Sequence, residues 1–297
     1  MHWIFSGSLR VEQVKVAIAN LPTGLQGTKI VQLSDLHYDG WRLSERMLAQ
    51  AIEATNQAEP DVIVLTGDYV TDDPAPINRL VQRLKYLQSR TGIYAILGNH
   101  DLYYHYSKAR VIDALTSIGI NVLWNEVAYP LGKRLPFVGL ADFFSSEFNP
   151  ASTMNQLSPD TPRIVLAHNP DSAQSLQPWR VDLQLSGHTH GGQITIPGLG
   201  TAPKLLYQLG RSLPKPIRNW IPLVKECSRI VEHWEWTRGM HQIGTNQLYV
   251  NRGLGTYAPG RFLCPPEVTV ITLVENGEWR MENGEWRMEN WELGIGN

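Results

Sequence analysis

Two histidines stand one residue apart in "SGHTHGGQ" (Ser186 to Gln193), fenced by glycines and preceded by the apolar run "VDLQL". Extended backbone throws His188 and His190 to the same side, because side chains alternate with a period of two. Two imidazoles presented together suit a metal ion, and groups of similar capacity recur along the chain. In "SDLHYDG", Asp35 stands two residues before His37, so a carboxylate and an imidazole can grip one ion together. Asp68 follows a glycine in "TGDYV". "LGNHDLYY" offers the neutral oxygen of Asn99, the imidazole of His100 and the carboxylate of Asp101 in succession, and "LAHNPD" adds His168. Taken singly, each signal is weak. An Asp-x-His is more often a surface loop, a strand-ending Asp is often a cap or turn residue, and a lone buried histidine is usually satisfied within a core. "GNHD" and "GHTHGG" are stronger, because neither pattern serves ordinary packing.

These groups need elements to bring them together. Apolar, β-branched runs precede each of them: "KIVQLSD", "VIVLTGD", "IYAILGNHD", "LPFVGLAD", "RIVLAHN" and "VDLQLSGHTH". Their near-continuous apolar content predicts strands in a sheet covered on both faces. Between them Leu43, Met47, Leu48, Ala51 and Ile52 recur at helical spacing around Ser44, an N-cap residue type. Segments 77–90 and 107–118 look similar. Strand and helix alternate, which makes the class α/β. Asp35, Asp68, Asn99, His168 and His188 all fall at or just past the C-terminal end of a strand, where open α/β sheets bind ligands.

Composition narrows the alternatives. Hydrophobic residues make up 42% and charged residues 18% of the 297 residues, enough to build a core. A net charge of -2 gives no electrostatic case for a general nucleic-acid binder. Cys227 and Cys264 alone cannot form a disulfide framework or a cysteine metal site. No run approaches the roughly 20 apolar residues of a membrane-spanning helix, and "MHWIFSGSLR" lacks the features of a secretion signal. The expectation is a cytoplasmic protein.

From Gly191 to about Gly244 the prolines 197, 203, 214, 216 and 222 argue against long regular elements. Lys204, Arg211, Lys215, Arg218 and Lys225 are interleaved there with Leu205, Leu206, Tyr207, Trp220, Ile221 and Leu223, and no acidic residue occurs from Leu183 to Lys225. Two more strands, "QLYVNRG" and "EVTVITLVE", close the fold. The heptapeptide "ENGEWRM" occurs twice in succession from Glu275. Its Asn276-Gly277 and Asn283-Gly284 pairs predict hairpin turns rather than a coiled coil. The organisation expected is an extension over 1–20, a main domain over 21–274 with a basic and aromatic cap at about 199–245, and a tail over 275–297.

With "DLH", "GDYV", "GNHD", "AHNPD" and "GHTH" in that order, the sequence resembles the calcineurin-like metallophosphoesterases from about Leu21 to Val274. The resemblance implies a four-layer αββα sandwich with its metal site at the C-terminal strand ends. It implies that Asp35, His37, Asp68 and His190 bind one divalent ion, and that Asp68, Asn99, His168 and His188 bind a second, with Asp68 shared. The expected reaction is hydrolysis of a phosphodiester or pyrophosphate by a hydroxide held between the ions. Nitrogen and oxygen ligands without thiolate favour manganese, then iron or zinc, over magnesium. His100, bound to neither ion in this scheme, is expected to act on the leaving oxygen. Asp101 is expected either to orient the His100 ring or to cap a helix.

The later "YVNRGLGTYAPGRFLCPPEVTVITL" resembles a bacterial subgroup of membrane-associated or exported phosphodiesterases, and similar enzymes include UDP-2,3-diacylglucosamine hydrolases. For the basic and aromatic segment two alternatives stand, a solvated surface or contact with a membrane or acyl chain. Arg252 and Arg261 are expected either to contact a phosphate or headgroup or to form structural salt bridges. Tyr103, Tyr104 and His105 either line the entrance or simply start a helix. The expected partner is a phosphate ester, lipid-linked in the sharper version, with no specific nucleic acid and no protein partner. Two other functions compete, a non-catalytic protein-binding scaffold and a nucleic-acid or cyclic-nucleotide phosphodiesterase. The retention of all seven presumed ligands together with His100 weighs against the scaffold.

Overall fold

The runs in which nearly every residue is apolar form the strands, and a computed structural model describes their arrangement over residues 7–214 and 230–275, with the backbone of 279–282 and 285–288. In chain order the strands are β1 (Arg10–Ile18), β2 (Lys29–Leu33), β3 (Val62–Leu65), β4 (Ile93–Ala95), β5 (Asn121–Val122), β6 (Glu126–Ala128), β7 (Phe137–Gly139), β8 (Ile164–Leu166) and β9 (Leu183–Ser186). They continue with β10 (Thr195–Ile196), β11 (Gly200–Thr201), β12 (Gly239–Ile243), β13 (Asn246–Val250), β14 (Glu267–Glu275), β15 (Trp279–Glu282) and β16 (Glu285–Met288). The helices are α1 (Glu45–Gln57), α2 (Ile77–Leu84), α3 (Ser107–Thr116), α4 (Pro150–Met154), α5 (Ser172–Leu176) and α6 (Ala202–Ser212).

Two six-stranded sheets result, in the orders β1-β14-β2-β3-β4-β5 and β12-β13-β9-β8-β7-β6. Alternation along each strand divides the apolar residues between two faces. Ile30, Val62 and Val64 pack between the sheets against Ile164, Leu166, Leu183 and Leu185. Their neighbours Val31, Ile63 and Leu65 turn outward to Met47 and Leu48 of α1, Leu80 and Leu84 of α2 and Leu115 of α3. On the far side Val138 and Val165 meet Met154 of α4 and Leu176 of α5. Helices, sheet, sheet and helices therefore form four layers, and each fully buried aliphatic side chain contributes about 1.5–3 kcal/mol. This is the αββα architecture expected for the calcineurin-like fold.

Register decides where the polar strand ends fall. Leu33 pairs with Leu65, and Leu65 with Ala95, in a parallel ladder. The residues that follow each strand, including Asp35, Asp68 and Asn99, thus emerge along one edge. In the second sheet Leu166 pairs with Leu185, which brings His168 and His188 to one edge as well. The two edges join where the His188 N–H donates to Asp35 Oδ1 at 2.9 Å and Gln32 Nε2 donates to the Ser186 carbonyl at 2.9 Å.

Helix α1 begins as the sequence predicts, with Ser44 Oγ accepting the Met47 N–H. Elsewhere the chain departs from expectation. Residues 10–18, assigned to an extension, form the edge strand β1 and pair in parallel with β14 over nine residues. Within the proline-rich segment α6 runs for 11 residues, where no long element was expected. Pro203 lies in its first turn, where the missing N–H costs no intrahelical bond. β15 and β16 pair antiparallel, whereas the predicted turn residues Asn276, Gly277, Asn283 and Gly284 lie outside the described residues. So do Cys227 and the basic and aromatic positions from 215 to 229. Among the described residues no helix is long and apolar enough to cross a membrane.

Candidate metal centre

Backbone conformation already marks the site. Asp35, His37, Asp68, His188 and His190 all have φ between 43° and 69°, the left-handed region. Each such non-glycine residue costs about 1–2 kcal/mol, so the surrounding structure must hold these loops in place. The strain follows from geometry, because each chain has to turn sharply off a strand end to aim its side chain at a common point.

The side chains gather into two groups, Asp35 with His37 and His190, and Asp68 with His168 and His188. Within each group the ligand-capable atoms lie within 4.8 Å of one another, and all six residues are buried. Asp68 joins the groups, since its Oδ2 lies 3.1 Å from His168 Nε2 and 3.5 Å from His37 Nε2. His37 Nε2 and His190 Nε2 face each other at 3.1 Å, and His188 Nδ1 and His168 Nε2 at 3.3 Å. Asn99 Oδ1 is buried with no hydrogen-bond partner among the described residues. Such an orphan acceptor normally costs stability. Converging imidazole nitrogens, two carboxylates and this oxygen make a donor set that fits divalent cations.

The outward nitrogen of each imidazole is occupied. His37 Nδ1 meets the Tyr257 hydroxyl at 3.1 Å, His190 Nδ1 the Gly255 carbonyl at 3.2 Å, and His168 Nδ1 the Thr66 carbonyl at 2.7 Å. His188 differs, since its Nε2 meets the Ile230 carbonyl at 2.9 Å. A ring N–H held by an outer oxygen directs the other nitrogen inward, where it can bind a metal ion in place of a proton.

The electrostatics match an environment prepared for positive charge. Burial raises the Asp35 carboxyl to about 6. Burial lowers His37 to about 3, and burial together with His168 lowers His188 to about 4, so both imidazoles are neutral. Burial alone would also lower His168, but the Asp68 carboxylate outweighs it and raises this ring to about 10. In turn His168 and His100 overcome burial and hold Asp68 well below the usual carboxylate range. A cation held there would take the place of the proton on His168 and invert this local balance.

Close approach explains two of the glycines. A Cβ on Gly187 would collide with Ser34 Oγ and Asp35 Oδ2, and one on Gly98 with Asp68 Oδ1. Gly191 and Gly192 pack against Cys264, Arg252 and Thr201.

His100 lies beside the two groups, its ring edge-on to His37 at 4.9 Å and its side chain 29% exposed. Its Nδ1 contacts the Thr71 carbonyl at 2.6 Å, and Asp72 Oδ1 is 3.9 Å away. Asp101 therefore does not orient the His100 ring, nor does it cap a helix. Its Oδ2 accepts the N–H groups of Asp68 at 2.8 Å and Gly98 at 2.9 Å, and its Oδ1 accepts those of Tyr69 at 2.9 Å and Val70 at 3.3 Å. It is an internal staple for the loop that carries Asp68, and burial followed by the Asp68 charge pushes its carboxyl up to about 7.

Both arginines singled out from sequence are structural. Arg252 pairs with Glu12 and Glu267. Arg261 donates to the carbonyls of His190, Arg252, Gly253, Gly255 and Cys264. Tyr103 and Tyr104 are exposed and pack edge-on against each other at 5.0 Å. Sequence reasoning missed Tyr257, whose ring carries the Arg42 guanidinium 4.4 Å from its centroid. It also missed Phe144, 54% exposed with its ring 5.8 Å from His188. Asp142 was a third omission; it is buried and raised by that burial to about 6, with Oδ2 unpartnered among the described residues. Its place at a strand end in "LPFVGLAD" was the available signal.

Comparison with known proteins agrees with this geometry. The family model for calcineurin-like phosphoesterases matches residues 28–192. An uncharacterized metallophosphoesterase of Bacillus subtilis (strain 168), YkuE, is 34% identical over 85% of this chain and 81% of its own. The phosphodiesterase YaeI of Escherichia coli (strain K12) is 33% identical over 83% and 82%. A UDP-2,3-diacylglucosamine pyrophosphatase of Chlamydia trachomatis serovar D, LpxG, is 28% identical over 91% and 92%. With two buried histidine–carboxylate groups in its fold, this chain belongs to the calcineurin-like phosphoesterases and is a metal-dependent phosphoester hydrolase.

Proposed function

We propose that the chain hydrolyses a phosphodiester or pyrophosphate bond with two divalent ions, on an amphiphilic, lipid-linked substrate. The observation that carries this reading is the pair of histidine–carboxylate groups meeting at Asp68 Oδ2. Asp35, His37, Asp68 and His190 would hold one ion, and Asp68, Asn99, His168 and His188 the other. When bound, paired divalent ions supply Lewis acidity and lower the pKa of water enough for hydrolysis at neutral pH. Manganese suits the imidazole-rich donor set best, with iron and zinc as alternatives.

The remaining work falls to the chain itself. The Thr71 carbonyl holds His100 Nδ1–H, which leaves Nε2 as the nitrogen that would take up a proton from water and pass it to the leaving oxygen. Tyr257 and the carbonyls of residues 66, 230 and 255 keep the ligand imidazoles in the required tautomers. Asp101 holds the Asp68 loop.

The lipid-linked reading draws on the LpxG relative and on exposed apolar groups. Phe144 stands beside His188, and Leu199, Leu209, Phe262 and Leu263 are all more than half exposed. Lys204 and Arg211 of α6 add positive charge, which suits peripheral contact with an anionic membrane surface. A substrate panel with added manganese tests the proposal, setting aryl mono- and diesters against UDP-2,3-diacylglucosamine and cyclic nucleotides. Turnover of the diester and the lipid pyrophosphate is expected. Turnover of monoesters alone overturns it.

A further inference from the structure

We infer that Asp171 is a positioning residue for His188, acting through the polypeptide that returns from the basic and aromatic segment. The inference rests on the proposed role of His188 as a ligand. Three of the four buried imidazoles take their outer partner from loops at the strand ends and turn Nε2 inward. His188 alone turns Nδ1 inward, and its Nε2 partner is the carbonyl of Ile230, 42 residues further on. The tautomer of this one ring thus depends on where a distant limb of chain is docked.

Asp171 anchors that limb. Its side chain is buried; Oδ2 accepts the Glu232 N–H at 2.7 Å and Oδ1 accepts the His233 N–H at 3.1 Å. Two consecutive backbone donors on one carboxylate fix both position and orientation. Ile230 lies two residues before the first of them, so the fork sets where its carbonyl points. The limb is held again where Thr189 Oγ1 donates to the Thr237 carbonyl at 2.6 Å. Val231 and Trp234 pack with Leu206 and Tyr207 of α6 in a small apolar cluster. Asp171 follows His168 by three residues in "AHNPD", so one short motif supplies a metal-facing histidine and the anchor for its neighbour.

Without the carboxylate the 230–233 backbone is released, the Ile230 carbonyl no longer holds the Nε2 proton, and that proton can move to Nδ1. In the other group of donors the rings of His37 and His190 take their outer partners from Tyr257 and Gly255 rather than from this limb. The effect should therefore be confined to one of the two ions.

The test is a calorimetric titration of manganese into the metal-stripped full chain, comparing wild type with Asp171→Ala and Asp171→Asn. It is paired with nitrogen-15 NMR of the histidine tautomers in the metal-free protein. Wild type should show two binding events. Asp171→Ala should keep one at wild-type affinity and weaken the other by roughly 10–100-fold, the usual effect of removing an outer partner of a ligand. Its NMR spectrum should show a loss of the Nε2–H form of one histidine. Asp171→Asn should fall between, because an amide oxygen still accepts one of the two N–H groups; it also carries the test if the alanine variant does not fold. Two unchanged binding events, or two events weakened equally, would overturn the inference. A wild-type chain that binds fewer than two ions overturns the dinuclear proposal itself, and this inference with it.

Discussion

Replacing Asp101 by Asn separates two roles for the residue that follows His100. The substitution keeps the shape but exchanges one carboxylate oxygen for an NH2 group. Each oxygen accepts two backbone N–H groups, from Asp68 and Gly98 on Oδ2 and from Tyr69 and Val70 on Oδ1. Whichever oxygen is lost, two buried N–H donors then face another donor. An orphaned buried donor costs about 1–3 kcal/mol, so the loss is about 2–6 kcal/mol. Removing the charge recovers part of this, because burial already pushes the Asp101 carboxyl up to about 7. For a chain of this size that loss lowers Tm by roughly 5–15 °C. The released loop carries Asp68 in a left-handed conformation, so metal content should fall with it. Calorimetric melting, metal analysis and the pH profile of hydrolysis are the assays. An unchanged Tm with a shifted pH profile would refute the staple and restore a direct partnership with His100.

Other outcomes follow from the same contacts. At pH 8 His168, raised to about 10, still holds its proton, while His37 and His188 are neutral. Ion binding there should release about one proton per chain. Below pH 6 Asp35 and Asp142, both raised to about 6, add to the release. Affinity should therefore fall as pH drops, and calorimetry in buffers of different ionisation enthalpy reads the count; a release independent of pH contradicts it. Arg261→Lys should lower Tm and leave KM unchanged, since an ammonium cannot span the carbonyls that the guanidinium serves. A raised KM at constant Tm would instead make Arg261 a substrate contact. Gly187→Ala should abolish ion binding at the Asp35 group, because the new methyl collides with Asp35 Oδ2; retained binding of two ions would contradict that.

Much of the architecture was legible because buried strands announce themselves as apolar runs and each ends on a polar group. The strands behind Asp35, Asp68, Asn99, His168 and His188 formed where expected, and register aligned their ends. The supporting contacts were not legible. Three of the four oxygens that hold the buried imidazoles are backbone carbonyls, and a carbonyl leaves no mark on residue type. Asp101 was misread for the same reason, since its partners are four main-chain N–H groups. Helix α6 was missed because Pro203 counts against a helix everywhere except the first turn, and a first turn cannot be located before its helix is known.

The central claim is that Asp68 joins two metal-holding groups. Metal-stripped wild type and Asp68→Ala should be titrated with manganese and assayed on an aryl phosphodiester at each step. The account predicts two ions per wild-type chain, with hydrolysis appearing as the second one binds. Asp68→Ala should lose both ions and all turnover. Full hydrolysis by the stripped wild-type protein, or two ions still bound by Asp68→Ala, would contradict it.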